Sequence, residues 1–165
     1  MTVTRSATVT LPTDEQILIT REFDAPKELV FKAWTTPELV RRWWHANRGE
    51  MTVCEIDLRP GGTWRYVMVA GDGMEVGFHG VYREVVPNER LVSTEIYEGL
   101  PEGISEDDAA TLNTATFEGQ DGRTLVTLLV QCANQLSRDA IIESGMENGL
   151  QDALDLLEQA AQSIR

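Results

Sequence analysis

The stretch Ile142-Glu143-Ser144-Gly145-Met146-Glu147-Asn148-Gly149-Leu150-Gln151-Asp152-Ala153-Leu154-Asp155-Leu156-Leu157 decides the fold of this chain. Its apolar residues, Ile142, Met146, Leu150, Ala153, Leu154 and Leu157, recur at steps of three and four, and Ala161 and Ile164 continue the series. That spacing is the mark of a helix with one buried stripe. It predicts a single long amphipathic helix from Ser137, read as its cap, to the end of the chain. Along one flank, four residues apart, run Gly145, Gly149 and Ala153. A glycine inside a helix costs roughly 1 kcal/mol relative to alanine, so two on a buried face call for a cause. Either another backbone packs very close, or the space belongs to something other than this chain.

Upstream the hydrophobic period changes. Residues 1–13 read as a flexible or extended lead-in to a domain spanning 14–165. Glu15 to Phe23 alternates, with Ile17, Ile19, Arg21 and Phe23 on one side, as a strand does. Asp24-Ala25-Pro26 and Thr36-Pro37-Glu38 each carry a helix-start signal, predicting two short helices, the second running to Trp43-Trp44. From Met51 to Ala133 a period of two returns. The predicted strands are Met51–Leu58, Thr63–Ala70, Glu75–Val86, Arg90–Glu98, Thr111–Glu118 and Arg123–Ala133. The short turns between most of them make antiparallel neighbours. The expected architecture is α+β: a curved antiparallel sheet of about six to seven strands wrapped around the C-terminal helix.

Composition bounds the function. Against 14 basic side chains stand 27 acidic ones, a net charge of −13. Nucleic acid and anionic membrane surfaces would be repelled by such a surface. No apolar run approaches the roughly 20 residues that span a bilayer, and the N-terminus lacks the pattern of a cleaved leader, so the expected location is cytoplasmic. Cys54 and Cys132 have neither metal-ligand nor redox-pair spacing and read as buried free thiols. The histidines, His45 and His79, lack metal-ligand spacing too. Glu55 and Asp57 share a strand face, but Asp57 precedes a tight turn whose backbone it suits. Arg65 and Glu84 are expected to pair across strands. No catalytic residue, metal or cofactor is assigned.

Several short motifs, in order, resemble one family. They are Phe23-Asp24-Ala25-Pro26 with Val30 and Trp34, Thr36-Pro37-Glu38-Leu39 with Trp43-Trp44, and Asp57-Leu58-Arg59-Pro60-Gly61-Gly62 with Trp64, Tyr66 and Met68. Gly80-Val81-Tyr82-Arg83-Glu84, Pro87-Asn88-Glu89-Arg90-Leu91 and Ser144-Gly145-Met146-Glu147 with Gly149 complete the set. From about residue 15 to 163 the chain is similar to the START-related helix-grip superfamily (SRPBCC), in the branch of the activator of heat-shock-protein ATPase. The resemblance implies a deep apolar cavity between sheet and helix that takes lipids, polyketides or similar molecules, and a link to the stress response. One departure stands out. Relatives often place a tryptophan directly after the Met-Glu-x-Gly motif, where this chain has Leu150, which leaves the pocket floor roomier or differently shaped.

The residues expected to line that pocket are Trp34, Trp43, Trp44, Trp64, Tyr66, Met68, Phe78, Tyr82, Ile96, Met146, Gly149 and Leu150. Trp64, Tyr66 and Met68 share one strand face, Phe78, Gly80 and Tyr82 another, and Val92, Thr94 and Ile96 could continue it. The plainer alternative is that these side chains make a dry core. Buried Tyr and Trp tips need partners, however, and methionines beside glycines suit an adaptable pocket. The expected function is binding of a small hydrophobic ligand. The alternative is a cyclase- or hydrolase-type enzyme using Tyr66, Tyr82 and His45 in the same pocket. A chaperone-ATPase-stimulating partner is the weaker third reading, since such activators carry a further partner-binding domain. A homodimer is left open, and so is a lid role for the acidic Gly99–Ala110 loop.

Overall fold

The computed structural model describes residues 6–100 and 102–165. The strands are β1 (Thr8–Thr10), β2 (Gln16–Phe23), β3 (Gly49–Ile56), β4 (Thr63–Ala70), β5 (Glu75–Val86), β6 (Arg90–Tyr97), β7 (Thr111–Gln120) and β8 (Arg123–Gln131). They form one antiparallel sheet in the order β1-β2-β8-β7-β6-β5-β4-β3. The helices are α1 (Lys27–Thr35), α2 (Pro37–Val40), α3 (Glu106–Ala109), α4 (Gln135–Glu143) and α5 (Met146–Ser163).

The sheet has eight strands, one more than the pattern predicts, because β1 forms inside the expected lead-in. Three residues are too few to show a period. β1 is held by pairing Thr8–Thr10 with Leu18–Thr20 and by Gln151 of α5, which bonds both the N–H (2.9 Å) and the carbonyl (2.8 Å) of Ala7. Residues 1–5 of the lead-in lie outside the described residues.

The C-terminal helix is two helices. Gly145 adopts φ +79°, a left-handed conformation that ends α4 and starts α5 on a new axis. Continuous periodicity hides such a break, since the apolar stripe resumes in phase. The cap of α4 is Asn134, whose side chain accepts from the Ser137 N–H at 2.8 Å, and not Ser137. The Ser137 hydroxyl instead donates to the Asp108 carbonyl, tying the α3 segment to α4. One earlier helix start and one helix end also differ. Pro26 caps α1 from outside its first turn, and α2 stops at Val40, leaving Trp43 and Trp44 in the turns that follow.

Arg21 fastens α5 to the sheet. It alternates inward with Ile17, Ile19 and Phe23 and is 3% exposed. Its guanidinium donates to the Leu154 carbonyl (2.9 Å), Asp155 (2.8 Å) and Glu158 (3.1 Å), and stacks 4.5 Å from the centroid of the Phe23 ring. A buried charge survives only when paired and bonded in this way. In the same core Phe23, Val30, Phe117 and Leu157 are fully buried, with Phe31 and Trp34 edge-on to Phe117 at 5.3 and 5.5 Å.

Candidate functional site

At the other end of α5 the sheet and the helix do not meet. A cavity of about 540 Å³ separates them. Its walls include Trp34, Trp43, Trp44, Trp64, Tyr66, Met68, Phe78, Tyr82, Met146, Gly149 and Leu150, all predicted from sequence. Exposed Arg48, Ser144 and Gly145 mark its mouth. Gly149 answers the question its position poses. A Cβ built there would meet nothing within 4 Å, so no backbone packs against it and the helix faces open space. Gly145 is different: its role is conformational, set by its positive φ.

The aromatic walls brace one another. Trp43 donates its indole N–H to the Ala33 carbonyl (2.8 Å) and lies against Trp34, anchoring the short helices. Trp44 is set edge-on to Tyr66 and Phe78 at 5.5 and 5.7 Å. The Trp64 indole donates to the Thr94 carbonyl across Gly80, at 3.1 Å. A Cβ at Gly80 would sit 1.8 Å from that carbonyl and 2.7 Å from the indole nitrogen, so only glycine fits the crossing.

Ile96 is not part of the wall. β6 turns Leu91, Ser93 and Glu95 to the cavity, and Val92, Thr94 and Ile96 to the opposite face. The reason is register. Val85 pairs with Leu91 and Glu84 with Val92, but an irregularity then sets Tyr82 against Ser93. The apolar parity of β6 therefore points away from the cavity, and its polar parity points in.

That inversion brings in a polar floor that apolar patterning overlooks. Ser93 sits opposite Asn113 of β7, and Glu95 opposite Thr111. The Thr111 hydroxyl donates to the Asn113 side-chain oxygen at 2.9 Å. The surface Glu95 keeps is cavity wall, and burial pushes its carboxyl up to about 7. Burial also raises the phenols of Tyr66 and Tyr82, which interact with each other, so both stay protonated. Hairpin register carried unbroken from Pro87-Asn88-Glu89 would set Thr94 against Tyr82 and turn Glu95 outward, so it is the irregularity between Tyr82 and Glu84 that brings Glu95 in.

Other expected groups lie elsewhere. His45 lines the cavity, its Nδ1 accepting from the Asn47 N–H at 2.9 Å, which leaves the proton on Nε2 in the neutral ring. His79 is on the outer face, against Glu98. Arg65 pairs with Glu98 through two bonds of 2.9 Å, while Glu84 pairs with Arg90, so the expected Arg65–Glu84 pair does not form. Register sets His79, not Glu84, across from Arg65. Glu55 and Asp57 are exposed, and the Asp57 carboxylate takes the Arg59 side chain in place of its own turn backbone. Cys54 and Cys132 are buried and free. No described residue of the Gly99–Ala110 loop lines the cavity; Pro101 lies outside the described residues. Among the described residues no three His, Cys, Asp or Glu side chains cluster to hold a metal, and no helix is long and apolar enough to cross a membrane.

An antiparallel sheet closed over a C-terminal helix, with a cavity between the two, defines the helix-grip class. The chain belongs to the Activator of Hsp90 ATPase homolog 1-like protein family, whose sequence profile matches residues 24–162. No curated protein matches the sequence. Among solved structures, a protein from Rhodobacter sphaeroides is similar at 25% identity and a TM-score of 0.85, covering 97% of this chain and 100% of that one. A protein from Rhizobium leguminosarum is 29% identical with a TM-score of 0.66, covering 96% and 98%. An AHSA1-like protein from Aeromonas hydrophila shares the fold at 22% identity and a TM-score of 0.66, covering 89% and 93%.

Proposed function

We propose that this protein binds a small hydrophobic molecule in the cavity between β4–β7 and α5. The open space over Gly149 carries the reading. A helix interior gains from alanine over glycine by roughly 1 kcal/mol, and here nothing steric forbids the side chain. The position forgoes that stability and keeps volume. A cavity of about 540 Å³ lies within the range of small-molecule sites, and its mixture of apolar wall and few polar groups matches them in kind. Lipids and polyketides are the ligand classes of suitable size and polarity.

Native mass spectrometry of the protein after exposure to a total lipid extract tests this. A bound mass of defined stoichiometry is expected, and Gly149→Trp, which fills the space from the helix side, should remove it while the fold survives. A variant that kept every adduct would rule the cavity out as the binding site.

An enzymatic reading has one specific observation behind it: two protonated phenols, Tyr66 and Tyr82, beside the Glu95 carboxyl in an apolar site. Such donors can polarise a bound carbonyl, as a cyclase requires. If turnover were found and Tyr66→Phe, Tyr82→Phe and His45→Ala all left it intact, that reading would fall.

A further inference from the structure

Glu95 is the only carboxylate among the described residues that line the cavity. The described residues give it neither a hydrogen bond nor an ion pair, in contrast to Arg21, whose buried charge has two carboxylate partners. The neighbouring polar groups do not neutralise it. Ser93 and Asn113 are uncharged, and the Thr111 hydroxyl is already given to Asn113. Of the basic side chains near the cavity, Arg48 is held at the mouth by Asp152 (3.0 Å) and the Ala46 carbonyl (2.7 Å), and His45 is tied to its own turn. The α5 residues facing in, Met146, Gly149, Leu150, Ala153 and Leu154, carry no charge.

A carboxyl withdrawn into an apolar site with no partner is costly unless a cation or a proton meets it. Trp64, Tyr66 and Tyr82 line the same cavity, and aromatic rings favour a cation over their faces. Building on the cavity-binding reading above, we propose that Glu95 is the headgroup-recognition residue, and that the ligand is an amphiphilic amine. Its ammonium group reaches the Glu95 floor, and its hydrocarbon part lies along Met68, Phe78, Met146 and Leu150. The net charge of −13 steers cations toward the mouth and opposes carboxylate amphiphiles.

Dodecylamine, dodecanol and dodecanoate share one tail and differ in the head, so titrating each into the protein by calorimetry at physiological salt isolates the head. Dodecylamine should bind one to one, roughly tenfold or more tightly than dodecanol, as a charge-assisted hydrogen bond in a dry site would give. Dodecanoate should be weakest. Glu95→Gln, close to isosteric, should bring dodecylamine down to the level of dodecanol and leave dodecanol unchanged. Equal binding of amine and alcohol, or an amine preference that survives Glu95→Gln, would overturn the assignment while leaving the cavity reading intact. Tightest binding of dodecanoate would place the head at the α5 N-terminus and also overturn it. No binding of any of the three would remove both readings together. The wild-type series decides the matter even if the variant folds poorly.

Discussion

The two halves of α5 pack on the same sheet and do opposite things there. Its C-terminal half, through Leu157, Ala160 and Ala161, is buried in one core with Phe23, Phe31, Val30 and Phe117 and is pinned by Arg21. Its N-terminal half, through Met146, Gly149 and Leu150, faces the cavity. One residue type marks the change: the sealed half carries alanine at its close approaches, the open half glycine. The contrast separates the part of the helix that holds the fold from the part that holds a volume.

The largest effect should come from breaking the sealed half. Leu157 is fully buried, so Leu157→Ala should cost about 2–5 kcal/mol in chemical denaturation. Leu150→Ala, bordering space that already exists, should cost distinctly less. Equal losses would mean that the open half is as tightly packed as the sealed one.

Next comes the charge in the cavity floor. With a folded value of about 7 and an unfolded value near 4.3, Glu95 holds a proton in the native state that the unfolded chain has already released. Stability therefore falls as pH rises through that window, and the loss is complete above it. Thr111 of β7 stands across from Glu95, Tyr66 of β4 is the titratable group that interacts with it, and the acidic side chains of α3 are exposed. Glu95→Gln should flatten the fall and stabilise the ligand-free protein near pH 8 by up to about 3 kcal/mol. Parallel pH–stability curves for the two proteins would show that the carboxyl is not isolated.

The smallest and sharpest test sets the two glycines against each other. Gly149→Ala should stabilise by roughly 0.5–1 kcal/mol, since its Cβ meets nothing and the backbone is helical. Gly145→Ala should destabilise by about 1–2 kcal/mol, because φ +79° strains any Cβ. Thermal denaturation resolves the sign, and a shared sign would erase the distinction between a conformational glycine and a spatial one.

Much of this was legible in the residues, and the misses share a cause. Strand alternation placed Trp64, Tyr66 and Met68 correctly, and then Phe78 and Tyr82, because within one strand the period leaves no choice. Between strands, register matters. The irregularity at Tyr82/Glu84 exchanges the inward parity of β6, so alternation alone points to Ile96 where the structure has Glu95. On β6 the cavity face is the polar one, opposite to what apolar alternation implies. In the same way Gly145 reads as part of an unbroken stripe, since hydrophobic spacing records which face is buried and not the backbone angle that turns it. β1 is hidden because three residues show no period and because Gln151, which fastens it to α5, lies far along the chain.

The distribution of indole rings has an optical consequence. The chain has four tryptophans, and Trp34, Trp43, Trp44 and Trp64 all stand in the cavity wall. Tryptophan emission from this protein thus originates entirely in the wall an occupant would touch. No tryptophan elsewhere contributes a silent background. Arrival of a guest would alter the colour and lifetime of the whole signal, so the molecule carries its own unlabelled reporter of occupancy.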